Sequence, residues 1–416
     1  MMEKQLSSIV PSRNIPQLRF PEFEGVWETI KLDKIVSKVG SGSTPKGGVE
    51  VYTKTGIPFI RSQNIFSNTL NLDETHIPKT LHEKMKGSKV LSNDILLNIT
   101  GGSIGRSCVV PNSFEEGNVN QHVSIIRLKK DSPKFLQALL SSFHGQKLIF
   151  QGMTGSGREG LNFQSIRAFK FKLPQFPEQQ KIAAFLTDVD TKITQLTKKK
   201  TLLEQYKKGV MQKIFNQELR FKDDNGNEFP DWEEKKLKKF ILDFIVPMRD
   251  KPKDLTGDIP WCRIEDFDGK YLSTSKSNQG VTMETVKDMK LKVYPVNTLL
   301  VSCSANLGFC AIVKKELVTN QTFIGLFPDQ EKVDVSYLYH IMKLSSRRLN
   351  VLSSGTTISY LSRKQFENFS IQFPCLEEQT KIANFLSDID KKIEAVTTKI
   401  EKAQSFKKGL LQQMFV

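Results

Sequence analysis

The sequence is poor in the residues and segments that mark secreted, membrane or metal-bound proteins. Its 416 residues include five cysteines and five histidines, and no C-x-x-C pair occurs. A sparse, odd set of cysteines is typical of reduced thiols, so we expect a cytoplasmic protein without a structural metal. No run of 18 apolar residues occurs, and no apolar segment follows the first methionine. Neither a transmembrane helix nor a secretory signal is therefore predicted.

The motifs of nucleotide-dependent and DNA-modifying enzymes are also missing. The chain contains no Pro-Pro dipeptide, which an amino-methyltransferase motif needs, and no Walker P-loop. Residues 155–160 (GSGREG) have the G-x-G-x-x-G spacing of a dinucleotide-binding loop. That loop requires a strand before it and a helix after it, whereas here a helix is predicted before it. We therefore expect no catalytic residues and no cofactor in this chain.

Acidic residues are too few to balance the basic ones. The chain has 45 Asp and Glu against 61 Lys and Arg, which gives a formal net charge of +16. A basic excess of this size suits a polyanionic partner, with nucleic acid ahead of an anionic membrane surface. The alternative is a basic protein that has no such partner.

The chain contains a tandem repeat with an offset of 200 residues. Residues 178–193 read EQQKIAAFLTDVDTKI, and residues 378–393 read EQTKIANFLSDIDKKI. Over residues 178–215, 18 of the 38 positions are identical in the second copy. Weaker similarity reaches back to LRF at 18–20 and 219–221. The repeat predicts two units of one fold, each with a divergent front and a similar tail.

The fronts combine short segments typical of strands, namely DILLNI (94–99), HVSIIRL (122–128) and FKFKLP (169–174), with amphipathic helices over 132–151 and 334–354. We therefore predict an α+β protein with two globular α/β domains and two long antiparallel helices that form a coiled coil, related by a pseudo-two-fold internal repeat. The predicted segments are an N-terminal tail (1–17), a first globular domain (18–175), a central helix (176–216), a second globular domain (217–375) and a C-terminal helix (376–416).

Both tails carry an apolar stripe at heptad spacing over five heptads, which predicts long helices that pair with each other. Since a globular domain must connect the end of the first helix to the start of the second, an antiparallel pair is favoured. The alternative is that each helix packs on its own domain. Lys200, Lys207 and Lys407 interrupt the stripe and either set the register or face outward. The predicted pairing residues are Ile182, Leu186, Val189, Ile193, Leu196, Leu203, Ile382, Leu386, Ile389, Ile393, Val396 and Ile400.

Polar loops with interspersed basic residues recur in both globular domains. Their side chains carry the donors and acceptors that bind phosphates and base edges, although ordinary polar loops remain the alternative. The candidate DNA-binding residues of the first domain are Ser43, Thr44, Lys46, Arg61, Gln63, Asn64, Ser103, Arg106, Asn120, Gln121 and Arg158. Those of the second domain are Arg263, Ser302, Asn306, Asn320, Gln321, Thr356, Ser359 and Arg363.

The two helix motifs, together with DILLNITGGSIG (94–105), NQHVSIIRL (120–128) and GREGLNFQSIRAFKFKLP (157–174), carry a resemblance to a known family. Along nearly its whole length the sequence resembles the specificity subunits of type I restriction-modification systems. The Gly-rich segment GSGSTPKGG (40–48) has no clear equivalent in the second domain.

The resemblance implies that each globular domain reads one half of a split, asymmetric target in double-stranded DNA. It implies that the paired helices fix the spacer and dock two adenine methyltransferase (modification) subunits. ATP-driven restriction subunits would join this complex. S-adenosylmethionine, ATP and Mg are then expected in the partner subunits. A coiled-coil scaffold that binds proteins and a self-sufficient DNA methyltransferase remain as alternative functions.

Overall fold

The computed structural model of the protein describes residues 14–66, 68–154, 160–247, 251–304, 307–353 and 360–416. The chain divides into two compact units. The first is Met1–Lys198 with Thr397–Val416, and the second is Lys199–Val396. Each unit therefore contains a globular domain, the first part of one long helix and the last part of the other.

The first unit is built from short strands and helices. Its strands are β1 (Glu28–Lys31), β2 (Val36–Ser41), β3 (Ile57–Ile60), β4 (Ile65–Phe66), β5 (Thr69–Leu70), β6 (His76–Ile77), β7 (Lys89–Val90), β8 (Ile95–Asn98), β9 (Ser107–Val109), β10 (Gly117–Val119), β11 (Val123–Leu128), β12 (Met153–Thr154), β13 (Gly160–Leu161) and β14 (Lys170–Leu173). Its helices are α1 (Leu32–Ile35), α2 (Lys79–Lys84), α3 (Pro133–Ser141), α4 (Phe143–Gly152), α5 (Phe163–Ala168) and the first part of α6 (Phe176–Phe215).

Two four-stranded sheets form the centre of the first unit, in the orders β6-β3-β10-β7 and β2-β11-β8-β9. Alternate side chains of β11 enter two different cores: Val123 and Ile125 lie in one, and Ile126 lies in the other. Because successive side chains of a strand point to opposite faces, this apolar segment is buried on both faces of its sheet. Strands β3 and β10 run parallel, with Ile60 opposite Val119, so the segments that follow the two strands leave the sheet at the same edge.

The second unit repeats this plan. Its strands are β15 (Glu233–Lys236), β16 (Ile241–Ile245), β17 (Ile259–Cys262), β18 (Tyr271–Leu272), β19 (Gly280–Val281), β20 (Leu299–Ser302), β21 (Cys310–Val313), β22 (Val318–Thr319), β23 (Phe323–Pro328) and β24 (Ser370–Phe373). Its helices are α7 (Met283–Asp288), α8 (Val335–Leu344), α9 (Ser346–Ser353), α10 (Arg363–Asn368) and the first part of α11 (Leu376–Gln413). The sheets have the orders β16-β23-β20-β21-β18 and β19-β17-β22, and β17 runs parallel to β22.

The prediction of one amphipathic helix over 132–151 was wrong, because the segment forms two helices. Ser142 ends α3 in an extended conformation, and its side chain accepts a hydrogen bond from the Gly145 backbone N–H to cap α4. Gly145 packs against the Leu139 carbonyl so closely that a Cβ there would lie 2.0 Å from the oxygen. Only glycine permits this approach, and the sequence periodicity did not reveal it. The counterpart over 334–354 also divides, into α8 and α9.

The long helices are continuous over 40 residues in α6 and 38 residues in α11. All the predicted pairing residues from Ile182 to Ile400 are buried or half-buried, and most of the positions between them are exposed. The heptad stripe therefore marks the covered face of each helix.

Within each unit the helix segments run antiparallel. In the first unit, Lys407 Nζ donates to Asp190 Oδ1 at 2.5 Å, and Met414 shares a core with Ile182. In the second, Lys207 Nζ donates to Asp390 Oδ1 at 2.5 Å. The lysines at 207 and 407 thus make specific ion pairs across the helices, which favours the interpretation that they set the register. Lys200 instead pairs with Glu204 on its own helix, at 3.9 Å.

A buried glutamate fixes the start of each long helix to its globular domain. Glu178 accepts hydrogen bonds from Arg19 Nε and Nη2, both at 2.8 Å, and from the Trp27 indole at 3.2 Å. In the second unit, Glu378 accepts from Arg220 Nη2 at 2.8 Å and from the Trp232 indole at 2.9 Å. These contacts explain why the LRF motif, the following tryptophan and the helix motif recur together.

Candidate nucleic-acid interface

The parallel pair β3 and β10 places two predicted DNA-binding residues side by side. Arg61 directly follows β3 and Asn120 directly follows β10, and the Asn120 N–H donates to the Ile60 carbonyl at 3.1 Å. A short 3-10 turn begins after Arg61, whose N–H donates to Asn64 Oδ1 at 2.8 Å. The carboxyl ends of parallel strands share one sheet edge, so these loops meet without any sequence proximity.

Further predicted loops join at this edge. The Gly42 N–H donates to the Asn120 carbonyl at 3.2 Å, and a Cβ on Gly42 would lie 1.7 Å from a backbone oxygen. Thr44 Oγ1 donates to Gln121 Oε1 at 2.5 Å. Asn98 Nδ2 donates to the carbonyl of Ser62 at 2.9 Å. The segments 42–46, 61–64, 98–106 and 120–122 therefore form one surface, here called the first loop cluster.

Several predicted residues of the first loop cluster are presented to solvent. Those classed as exposed are Ser43, Thr44, Lys46, Gln63, Arg106 and Gln121. The Arg106 guanidinium lies over the ring of Phe66, 5.7 Å from its centroid, and Phe66 is 57% exposed. A stacked arginine and an exposed aromatic ring offer the flat, cationic surface that nucleic acids bind. Phe66 was missed from the sequence, although an aromatic residue in a polar loop was a usable signal.

Other predicted residues hold the cluster together. Asn64 is buried, and its amide donates to the Asn71 carbonyl at 2.9 Å. Asn120 is also buried, with Oδ1 accepting from the His122 N–H at 3.0 Å. The half-buried Arg61 binds Asp73 at 2.8 Å. Ser103, half-buried, accepts from an asparagine amide at 3.1 Å. A role for these four side chains in binding DNA stays a prediction.

The second unit repeats this edge, again with an arginine and an asparagine after the two parallel strands. Cys262 lies opposite Thr319 in the parallel pair β17 and β22, so Arg263 and Asn320 leave the sheet together. The Arg263 N–H donates to Asp266 Oδ2 at 2.7 Å and starts the equivalent 3-10 turn. The Arg263 side chain bonds Gln279.

Three more segments complete the second loop cluster, which comprises 263–266, 302–304, 320–322 and residue 361. The Cys303 N–H donates to the Thr322 carbonyl at 2.9 Å, and the Leu361 N–H donates to the Cys303 carbonyl at 2.8 Å. Gln321 is exposed, whereas Ser302 is buried. The sequence interpretation also missed Phe309, which is 46% exposed beside this cluster.

Arg363 lies outside the second loop cluster, at the first turn of α10. Its guanidinium pairs with Glu367 at 2.8 Å and lies 5.9 Å from the Phe244 ring centroid. Arg158, Asn306, Thr356 and Ser359 lie outside the described residues. The end of the GSGREG segment does bear on the site, because Gly160 forms an isolated β-bridge with Thr100 of the first loop cluster.

The buried thiols are not suited to nucleophilic chemistry. Burial raises the pKa of Cys108, Cys262 and Cys310 to about 12 and that of Cys303 to about 11, so these thiols are protonated at neutral pH.

Within the described ranges, no group of three or more His, Cys, Asp and Glu side chains is arranged to hold a metal ion. In the same part of the chain, no helix is both long and apolar enough to cross a membrane.

The molecule is a duplicated recognition protein, with a polar loop cluster on each globular domain and a long helix anchored to each. The family model of the type I restriction modification DNA specificity domain matches residues 24–205 and 231–405, and the chain belongs to this family. It is a type I restriction-modification specificity subunit with two recognition domains.

Two relatives come from Methanocaldococcus jannaschii. The putative type I restriction enzyme MjaX specificity subunit is 25% identical, over 96% of this chain and 95% of its own length. The type I restriction enzyme MjaIX specificity subunit is 31% identical over 49% of this chain and 48% of its own length. Among solved structures, the S subunit of a type I restriction-modification system from M. genitalium has the same fold. It has a TM-score of 0.63 at 14% identity and covers 97% of this chain and 99% of its own.

Proposed function

We propose that the first and second loop clusters each read one half of a bipartite, asymmetric target in double-stranded DNA. The observation that carries this proposal is the repeated parallel-strand edge, which brings Arg61 beside Asn120 and Arg263 beside Asn320. The arginine and the asparagine are common to both units, whereas the neighbouring turns differ, with SQN at 62–64 and IED at 264–266. Two similar sheets with divergent loops suit a protein that recognises two unrelated half-sites.

The long helices then set the distance between the half-sites and dock two modification subunits. A helix of 40 residues is about 60 Å long, which exceeds the roughly 34–36 Å between half-sites one DNA turn apart. The buried anchors at Glu178 and Glu378 support this role, because a spacer element must be fixed rigidly to the domains that it separates.

In this proposal the chain recognises DNA and assembles the complex but does no chemistry itself. The modification subunits bind S-adenosylmethionine, and the restriction subunits bind ATP and Mg. All act in the cytoplasm, where the DNA lies. The repeat supports two copies of the modification subunit, since each unit offers an equivalent helix start.

The test is to map methylated adenines across a genome that expresses the modification subunits with and without this chain. We expect methylation at a two-part motif with a constant gap, and we expect it only when the chain is present. A coiled-coil scaffold would leave the methylation pattern unchanged. Methyl transfer by the isolated chain would instead show that it is a methyltransferase in its own right.

A further inference from the structure

Three lysines converge on one side of the second unit, where the globular domain meets the long helices. Lys207 belongs to α6, Lys270 directly precedes β18, and Lys343 lies in the last turn of α8. Lys270 Nζ lies 5.8 Å and Lys343 Nζ 5.6 Å from the centroid of the Tyr339 ring. Two cations therefore share one aromatic side chain.

The acceptors around these lysines leave an excess of positive charge. Lys207 Nζ donates to Asp390 Oδ1 at 2.5 Å, and this is the one ion pair that the structure records for the three lysines within the described residues. Lys270 Nζ donates to the neutral hydroxyl of Ser387 at 2.8 Å. Lys343 Nζ lies 3.4 Å from the Tyr339 hydroxyl. Asp390 and Asp334 both act on Lys270, but Lys207 and Lys314 repel it, so the cations around this position outnumber the carboxylates.

A buried histidine beside the lysines has no hydrogen-bond partner in the part of the chain that the structure describes. His340 is fully buried, and among the described residues nothing hydrogen-bonds either of its ring nitrogens. Burial, and then the charges of the three lysines, lowers the pKa of His340 to about 2, so the ring stays neutral. An unpaired buried polar group is costly unless a ligand or water satisfies it.

The first unit shows that the fold does not require this cluster. Asn68 takes the place of Lys270 directly before β5, and Ser141 takes the place of Lys343, nine residues after the helix cap. Asn68 Oδ1 there accepts a hydrogen bond from Ser141 at 3.3 Å. Ala138 occupies the position of His340. Two neutral polar groups thus satisfy each other where the second unit holds two repelling cations.

The position of the cluster indicates which anion it faces. Ser346, three residues beyond Lys343, packs directly against Gly308 in the loop that follows β20. Lys270 lies four residues beyond Asp266, in the chain that leaves the second loop cluster. The lysines therefore flank the proposed base-reading surface on the side of the long helices.

We propose that Lys207, Lys270 and Lys343 form a site for a backbone phosphate of DNA beside the second half-site, on the side of the non-specific spacer. This rests on the proposed function. A phosphodiester brings one negative charge and two free oxygens, which can accept from the Lys270 and Lys343 ammonium groups while Lys207 remains paired. The site fixes the position of the domain on the duplex and carries no sequence information.

The test uses the full chain with the Lys270→Gln/Lys343→Gln double variant. We expect affinity to fall by roughly three- to tenfold for target and non-target duplexes alike, with a salt slope shallower by about 0.9 for one lost phosphate contact. A duplex with neutral methylphosphonate linkages beside the second half-site should weaken the wild type but not the variant further. Unchanged affinity and salt slope in the double variant would overturn the proposal.

The matched control is Lys238→Gln/Lys239→Gln, which removes the same charge. These exposed lysines precede β16, which begins at the sheet edge opposite the second loop cluster, so their loss should leave the salt slope unchanged. An equal effect of both double variants would mean that only net charge matters, against the proposal. Normal DNA binding with lost assembly would assign the lysines to an acidic protein partner instead. A wild type that binds no DNA would overturn the proposed function itself.

Discussion

Removing the charge of Glu378 should loosen the second unit while leaving the first intact. Glu378 has no exposed surface and accepts from Arg220 Nε at 3.2 Å, Arg220 Nη2 at 2.8 Å and the Trp232 indole at 2.9 Å. Loss of one partner from a buried ion pair costs about 3–5 kcal/mol. Glu378→Gln keeps one acceptor oxygen but faces a donor NH2 toward the guanidinium, so we expect a loss of about 2–4 kcal/mol.

Hydrogen exchange resolved by mass spectrometry measures this loss in each unit separately, which a single melting temperature of a two-unit chain does not. Amides of β23 and β24 should exchange faster in Glu378→Gln, and amides of β11 should not. The reciprocal variant, Glu178→Gln, should loosen the first unit instead. Glu377→Gln is the control, because this neighbouring carboxylate is exposed. Equal exchange in Glu377→Gln and Glu378→Gln would refute the anchoring role.

Three further predictions concern the first loop cluster, the glycines of the long helices and the lysines of the second unit. Arg106→Ala should weaken binding to the first half-site by about 1–3 kcal/mol if the guanidinium reads a base, measured by titration against duplexes altered in each half-site; loss confined to the second half-site would contradict the assignment. Gly209→Ala and Gly409→Ala should each raise stability by about 0.5–1 kcal/mol, because both are helical and a Cβ meets little or nothing; hydrogen exchange in the unit that holds each glycine measures this gain, and faster exchange would show a missed contact. Burial lowers the pKa of Lys270 to about 8, below its unfolded value of 10.5, so the unfolded chain binds the extra proton. The charged Lys270 therefore lowers the free energy of unfolding by its full amount below pH 8, and this loss disappears as the pH rises to 10.5. Urea titrations should show this rise of stability with pH, and the Lys270→Gln variant should lose it.

The sequence by itself determined the duplication, the two long helices and their covered faces. These follow from local periodicity and from comparing the chain with itself: a seven-residue stripe from Ile182 to Leu203 needs a partner surface wherever the helix lies. The same comparison located Arg61 with Arg263 and Asn120 with Asn320 as corresponding positions. The segments of β8, β11 and β14 were also recognisable, since buried strands are continuous apolar or alternating runs.

Only the tertiary structure decided which polar side chains are presented and which are used internally. Asn64 and Gln63 are neighbours of similar chemistry, yet one is buried in a turn and the other is exposed, because the parallel pairing of β3 with β10 sets the direction of the loop. The lysines at 207, 270 and 343 lie far apart in sequence, and no periodicity connects them. Their convergence on Tyr339 arises from strand order and helix packing, which bring together charges that the sequence keeps separate.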